Sequence, residues 1–126
     1  MSEKTVAQKL MIKPGKKVWL VNPPENYAAT LGPLPAGAEL VQSGEEADVV
    51  QLFVRNREEM EAQLPQVTGR LRPGTLLWVS YYKGTARVKT DIHRDSLNAF
   101  GKSLGLEGIF IISVDEDWSA LRFKQV

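Results

Sequence analysis

The segment from Leu71 to Asp91, LRPGTLLWVSYYKGTARVKTD, constrains the fold of this chain more than any other. Arg72-Pro73-Gly74 predicts a turn, because proline fixes φ at one corner and glycine accepts positive φ at the next. Leu76 to Tyr81 is apolar almost throughout, which is typical of a strand covered on both faces in a parallel sheet. Basic residues follow this strand. In an open α/β sheet, the edge beyond the carboxyl ends of the strands is where ligands tend to bind.

The rest of the chain alternates between predicted strands and helices. Two of the strands are joined by the polar loop Asp115-Glu116-Asp117-Trp118, which predicts an antiparallel hairpin at the end of the chain. The strands of this hairpin are Gly108 to Val114 and Ala120 to Gln125. The other predicted strands, besides Leu76 to Tyr81, are Lys17 to Val21, Ala38 to Val41 and Asp48 to Val54.

Capping and terminating residues predict four helices. Pro65 lies inside the third, and a proline in a helix interior predicts a kink or two short helices in succession. The first helix is Thr5 to Met11, with Gln8 completing a capping box, and the second is Glu25 to Leu31, ended by Gly32. The third is capped by Asn56 and has Met60, Leu64, Val67 and Leu71 on one face. The fourth is capped by Thr90 or Asp91, has the apolar residues Ile92, Leu97, Phe100 and Leu104, and ends at Gly105.

This order of elements predicts a three-layer α/β fold. Right-handed crossovers place helices on both faces of a mostly parallel sheet of about six strands, which ends in the antiparallel hairpin. An alternative interpretation makes Tyr82 to Thr85 a hairpin turn and Ala86 to Lys89 a return strand, which gives an α+β sheet. A length of 126 residues is that of a single domain.

Composition excludes some classes of function. Sixteen basic residues stand against fifteen acidic ones, so charge gives no case for binding nucleic acid or an anionic membrane. The sequence has no apolar run of about 18 residues, no cysteine, and no apolar secretory core near Met1. We therefore expect a cytoplasmic protein.

Several segments resemble the Rossmann-like fold of class I methyltransferases. Ile12 to Val18 is similar to the lead-in of that fold's first strand, Asp48-Val49-Val50 to its fourth strand, and Leu71 to Leu77 to the turn before its fifth. The closing hairpin resembles its sixth and seventh strands. More narrowly, Ala7 to Phe123, with LLWVSYYKG, VKTDIHRD and VDEDWSALRF, resembles an uncharacterised bacterial family of small proteins. That resemblance implies a fold and no activity.

The chain departs from the methyltransferase pattern where the cofactor would bind. Asn22-Pro23-Pro24-Glu25-Asn26-Tyr27 replaces the glycine-rich loop, so prolines without N–H groups stand where a backbone would approach a ligand. Val41-Gln42-Ser43 offers no acidic residue for a ribose, and the chain before Asp48 is too short for the usual extra strand and helix. We predict that S-adenosylmethionine does not bind and that no other cofactor is required.

The carboxyl edge of the sheet is the predicted site. Lysines there would bind an anionic group, assisted by the N-terminus of the helix at Asp91. Asp115 and Asp117 would orient the lysines or act in proton transfer. The residues expected to converge on one cleft are Asn22, Ser80, Lys83, Lys89, Asp91, Asp115 and Trp118.

Each of these residues also has a purely structural interpretation. Lys83, Arg87 and Lys89 would be a solvated loop, and Thr90 and Asp91 a helix cap. The segment from Asp115 to Asp117 would be only a turn, with Trp118 covering the end of the hairpin. The single histidine, His93, belongs to no metal-binding spacing, so no metal site is predicted.

Three functional hypotheses follow. The first is a non-catalytic binding module that holds a small anionic ligand or a protein partner at the carboxyl edge. The second is a divergent transferase that uses Lys83, Lys89, Asp91 and Asp115. The third is a homo-oligomeric interaction protein whose terminal hairpin edge pairs with another copy, since an open sheet leaves its edge strands unpaired.

Overall fold

A computed structural model describes residues 4–125, in which six strands form one sheet. The strand order is β2-β1-β3-β4-β6-β5; β1 to β4 are mutually parallel, and β6 is antiparallel to both of its neighbours. The strands are β1 (Lys17–Val21), β2 (Glu39–Val41), β3 (Val49–Phe53), β4 (Leu76–Tyr82), β5 (Leu106–Ser113) and β6 (Trp118–Gln125).

Helices cover both faces of this sheet. α1 (Val6–Lys9) and α2 (Tyr27–Leu31) pack on one face, and α3 (Arg57–Thr68) and α4 (Arg94–Ser103) on the other. The predicted three-layer fold with its closing hairpin is therefore confirmed. The alternative α+β interpretation is wrong, because Ala86 to Lys89 lie in a loop and form no return strand.

The central strands are buried on both faces, as the apolar run in β4 predicted. Leu77 and Val79 face the core under α3 and α4, whereas Trp78 faces the core under α1 and α2. The indole N–H of Trp78 donates a 3.0 Å hydrogen bond to the carbonyl of Leu10 and so fixes the end of α1 on the sheet. A capping box between Thr5 and Gln8 begins that helix, as predicted.

The connection from β2 to β3 is short. Val41 ends β2 and Val49 begins β3, with no helix or strand between them. The prediction that this segment lacks an extra strand and helix is confirmed. As a result β2 is an edge strand, and the side chain of Leu40 on it is exposed.

Of the two alternatives predicted at Pro65, two short helices in succession is wrong; the kink stays a prediction. α3 is one helix of 12 residues with Pro65 inside it. Leu64 and Val67, on either side of the proline, are buried in the core, and Gly69 N–H still bonds to the Pro65 carbonyl. Pro65 lies in the last turn, where the burial of its neighbours outweighs one missing hydrogen bond.

The predicted cap of the last helix is also wrong. α4 begins at Arg94, and its N-cap is His93, whose backbone N–H donates to Ser96 Oγ at 2.9 Å. Thr90 and Asp91 instead contact the start of α3, as described below. Within residues 4–125 no helix is both long and apolar enough to cross a lipid bilayer.

Candidate functional site

The carboxyl edge of the sheet is formed by the ends of β1, β3 and β4 and by the tip of the hairpin between β5 and β6. From β1 the chain passes to β2 on one side, while β3 lies on the other. The strand order therefore reverses between β1 and β3. Such a switch point is the usual ligand position in an open α/β sheet.

Aromatic rings pack beside this position, from the end of β3 across to β4 and β6. Tyr27, the first residue of α2, meets Phe53 at the end of β3 with ring centroids 4.7 Å apart and nearly perpendicular planes. Phe53 in turn contacts Trp118 at 5.1 Å, and Tyr82 stacks on Trp118 at 4.2 Å. Tyr27, Phe53 and Trp118 are buried. We call these four side chains the aromatic cluster; it lies at the carboxyl ends of β3 and β4 and at the start of β6.

A buried polar network lies directly beneath the cluster. The Tyr27 hydroxyl donates to Gln51 Oε1 at 2.6 Å, and Gln51 Nε2 donates to Ser80 Oγ at 2.9 Å. Burial raises the pKa of Tyr27 well above its ordinary value, although the hydrogen bond with Gln51 acts in the opposite direction. The phenol therefore stays neutral and donates. Ser80, a predicted cleft residue, is completely buried in this network.

The loop between β1 and α2 explains why Tyr27 points inward. Asn22 and Asn26 both adopt left-handed conformations, with φ of 56° and 61°, on either side of the two prolines. The Tyr27 N–H bonds to the Pro24 carbonyl at 3.2 Å. These tight turns bring the tyrosine ring over β3, where a glycine-rich loop would leave room for a ligand.

Lys83 is tied to the hairpin. Its Nζ donates to Ser113 Oγ at 2.6 Å, and its backbone N–H donates to the Asp117 carbonyl at 2.8 Å. Lys9 Nζ reaches the carbonyl of the same Ser113 at 3.2 Å. Two ammonium groups thus converge on the end of β5.

The carboxylates at the hairpin tip are engaged in local contacts. Asp115 Oδ1 accepts from the backbone N–H groups of Asp117 (2.8 Å) and Trp118 (2.9 Å), which shapes the turn. Asp117 accepts from both the backbone N–H and the guanidinium of Arg87, and these hydrogen bonds hold the pKa of Asp117 below its ordinary value. The two aspartates therefore shape the tip and hold the 83–91 loop against it.

The end of the 83–91 loop is held against α3. Asp91 Oδ1 accepts from the Arg57 N–H at 2.7 Å, and the Thr90 hydroxyl donates to the Arg55 carbonyl at 2.9 Å. Asp91 therefore binds the first N–H of α3, not of α4. Lys89 is exposed and forms no hydrogen bond or ion pair with any of residues 4–125.

The structure thus separates the predicted site residues into groups. Lys83, Asp115 and Trp118 lie together at β4 and the hairpin, Asp91 lies at the start of α3, and Asn22 lies at the end of β1. Ser80 lies in the core. Ligand contact by these residues stays a prediction.

Sequence reasoning missed Tyr27, Gln51 and Phe53, which pack at and beneath the carboxyl end of β3. One signal could have found them. Gln51 is the only uncharged polar residue in the apolar run DVVQLFV, and a buried amide needs hydrogen-bond partners on neighbouring elements.

These features define a Rossmann-like α/β fold of the class I methyltransferase type. Its strand order and its closing antiparallel hairpin are those expected from the resemblance, with one strand and one helix absent between β2 and β3.

Solved structures with this fold include several methyltransferases. The ribosomal protein L11 methylase from Lactobacillus delbrueckii subsp. bulgaricus superposes with a TM-score of 0.59 at 11% identity, over 95% of this chain and 74% of that one. The DhpI-SAH complex gives 0.59 at 12% identity over 95% and 82%. An rRNA methylase from Streptococcus thermophilus gives 0.57 at 11% identity over 100% and 99%. Identities this low establish similarity of fold alone. No protein-family model matches the chain, and no curated protein matches it.

Proposed function

We propose that this chain is a binding module that carries out no methyl transfer and holds an anionic group at the carboxyl edge of a methyltransferase-like sheet. The observation that carries the proposal is the aromatic cluster. Tyr27 and Phe53 are buried over the switch point, so a cofactor could lie there only after both rings had left the core.

The β1–α2 loop supports the same conclusion. Pro23 and Pro24 cannot donate hydrogen bonds to a phosphate or carboxylate, and α2, at five residues, is too short to provide a strong dipole. The similar structures include methyltransferases, one of them named as a complex with SAH. This chain shares their fold without the groups that would hold such a ligand.

The 83–91 loop supports recognition of an anion. Lys89 is exposed and unpaired among residues 4–125. Arg87, two residues earlier, pairs with Asp117, but its side chain is largely exposed. Arg87–Asp117 and Asp91–Arg57 hold the two halves of the loop in place. A fixed loop loses little conformational entropy on binding, so a phosphate, or a carboxylate of a protein partner, can bind there at low cost.

The proposal is tested by following backbone amide resonances during two titrations, one with pyrophosphate and one with an oligoglutamate peptide. We expect saturable shifts at residues 83–91 and weaker binding for Lys89→Ala. Lys102→Ala, on the exposed surface of α4, is the matched control and should bind like the wild type. Asp91 is left unchanged because it accepts a hydrogen bond from the first N–H of α3.

The two probes distinguish the nature of the ligand. Pyrophosphate binding alone would indicate a small anion, and peptide binding alone a protein partner. The proposal fails if neither probe shifts residues 83–91, or if S-adenosylmethionine produces saturable shifts at residues 22–27.

Self-association is a second candidate function. β5 is an edge strand, and Ile109 and Phe110 on it are 48% and 41% exposed. Pairing of β5 with another copy would extend the sheet and cover both side chains. Sedimentation should then show a dimer that Ile109→Lys dissociates, whereas a wild type that stays monomeric at high concentration would exclude this candidate.

The proposal also includes the protein's family and its location in the cell. From the narrower resemblance of Ala7 to Phe123 we infer membership of a bacterial family of small, single-domain cytoplasmic proteins. A divergent transferase is less well supported, because Lys83, Asp91 and Asp115 each already have a structural partner.

A further inference from the structure

Two matching turns lie at the opposite, amino edge of the sheet. Lys13-Pro14-Gly15-Lys16 precedes β1, and Arg72-Pro73-Gly74-Thr75 precedes β4. Each closes with a backbone hydrogen bond from its fourth residue to its first, at 3.2 Å and 3.1 Å, and each has its glycine at positive φ. β1 and β4 are parallel and flank β3, so the turns stand on either side of the start of β3.

A pocket of about 310 Å³ opens between these turns. Its apolar part is formed by Met11, Val49 and Leu76, and its cationic part by Lys13, Lys16 and Arg72. We call it the amino-edge pocket. Its volume is at the lower end of the range for small-molecule sites, and the combination of an apolar surface with a few convergent polar groups is typical of such sites.

Arg72 is held in position at this pocket. Its Nη2 donates to the Ala47 carbonyl at 2.8 Å and to Asp48 Oδ1 at 3.0 Å. Nε and Nη1 form no hydrogen bond with residues 4–125, so the rest of the guanidinium fork is available. A cation that is already oriented loses less freedom when an anion binds.

Asp48 keeps Arg72 in place and also lies within electrostatic reach of Lys16. Its second oxygen, Oδ2, accepts from the Lys17 N–H at 2.9 Å. That hydrogen bond is the main cause of a pKa for Asp48 below its ordinary value, and Arg72 contributes in the same direction. Asp48 therefore remains a carboxylate with both oxygens engaged.

The charge of the pocket matches a dianion. Lys13, Lys16 and Arg72 contribute three positive charges and Asp48 one negative charge, which leaves a net charge of +2. Lys13 and Lys16 form no ion pair with any of the described residues. A phosphate monoester carries close to two negative charges at neutral pH, and both lysine and arginine bind phosphate oxygens well.

We propose that the amino-edge pocket binds a small organic phosphate. Its phosphate group contacts Lys13, Lys16 and Arg72, and its apolar group lies against Met11, Val49 and Leu76. This site is separate from the carboxyl edge, and its existence does not depend on the function proposed above.

Phenyl phosphate is the probe for this site. Titration of the full chain, followed by amide resonances, should give saturable shifts at Lys16, Gly74 and Thr75. The double variant Lys13→Gln/Lys16→Gln should bind at least about tenfold more weakly, because it removes two charged donors. Lys102→Gln/Lys124→Gln removes the same charge from other exposed positions and should change the affinity less than about twofold.

Three comparison compounds test the two halves of the site. Inorganic phosphate should bind more weakly than phenyl phosphate because it lacks the apolar group, and phenylacetate more weakly because it carries one charge. Phenol should not bind measurably. Shifts confined to residues 83–91 would support the carboxyl-edge proposal and overturn this one.

Other results would also overturn the inference. These are no saturable shift at residues 13–16 and 72–76, equal affinity of the wild type and the double variant, or equal affinity for phenol and phenyl phosphate. Both lysines are exposed, so the double variant should fold, and an unchanged thermal unfolding curve checks this. If the double variant does not fold, the single variant Lys13→Gln serves in its place, with Lys102→Gln as its control.

Discussion

The hydroxyl of Tyr27 donates a 2.6 Å hydrogen bond to Oε1 of Gln51 in the interior of the sheet. This contact joins the start of α2 to the middle of β3 and directs the tyrosine ring over the strand ends. It is therefore both a stabilising interaction and the feature that closes the switch point.

Replacing Gln51 by leucine should destabilise the fold by about 2–4 kcal/mol, because the Tyr27 and Ser80 hydroxyls would both lose a buried partner. Denaturant unfolding measures this free energy. The triple variant Tyr27→Phe/Gln51→Leu/Ser80→Ala removes the unpaired hydroxyls and should recover part of the loss. A triple variant less stable than Gln51→Leu alone would contradict the account of this network.

Stability should fall as the pH rises above about 10. The pKa of Tyr27 is raised in the folded state by burial, so above the ordinary tyrosine value the unfolded chain loses a proton that the folded chain keeps. The contribution of Tyr27 to the free energy of unfolding is thus fully present below that pH and is lost progressively above it. Unfolding curves of the wild type and Tyr27→Phe from pH 8 to pH 11 test this, and the variant should lose less stability. If the free energy of unfolding fell equally with pH in the two proteins, a raised pKa of Tyr27 would be ruled out.

Gly101 should not tolerate a methyl group. A Cβ at this position of α4 would lie 2.5 Å from Cε1 of Phe123, whose ring is buried. Overpacking costs about 1–3 kcal/mol or more, whereas alanine gains about 1 kcal/mol of helix propensity. We expect Gly101→Ala to lower the free energy of unfolding by about 1–2 kcal/mol. Gly84→Ala, where no atom lies within 4 Å, is the control. Equal stability of the two variants would show that Phe123 moves aside without cost.

Pro65→Ala should stabilise α3. The substitution restores the N–H that can bond to the Glu61 carbonyl, and proline in a helix interior costs up to about 3 kcal/mol relative to alanine. The stiffness that proline gives to the unfolded chain offsets part of this gain, so we expect about 1–2 kcal/mol. Gln66→Ala, on the exposed side of the same turn, should have little effect. If Pro65→Ala were less stable than the wild type, the packing of the proline ring would contribute more stability than the missing hydrogen bond costs.

The sequence predicted the strands and layers well because those signals are local. The apolar run of β4, the Arg72-Pro73-Gly74 turn and the four-residue connection of the hairpin can each be recognised within a few neighbouring residues. The end of α4 shortly before Gly105, which has a positive φ, could be predicted for the same reason.

Features that depend on distant contacts were harder to predict. Asp91 has the spacing of a cap for α4, but the loop before it folds back so that its carboxylate reaches Arg57 on α3. Similarly, the prediction of two short helices at Pro65 neglected the burial of Leu64 and Val67 against the sheet.

The amino-edge pocket was missed although the sequence contains a signal for it. Two turns of the type cation-Pro-Gly each precede a strand, and parallel strands begin at the same edge of a sheet. Sequence reasoning considered only the carboxyl edge, where such folds usually bind ligands. Lys13 and Arg72 are brought near each other only by the strand order.

Calorimetric titration with S-adenosylmethionine tests the central claim most directly, because the claim is that aromatic side chains close the switch point. We predict no binding with a dissociation constant below about 1 mM. In a parallel titration followed by NMR, we predict no shifts of the amide resonances of residues 22–27. Saturable one-to-one binding, with shifts confined to those residues, would contradict the account and show that Tyr27 can leave the core to admit a cofactor.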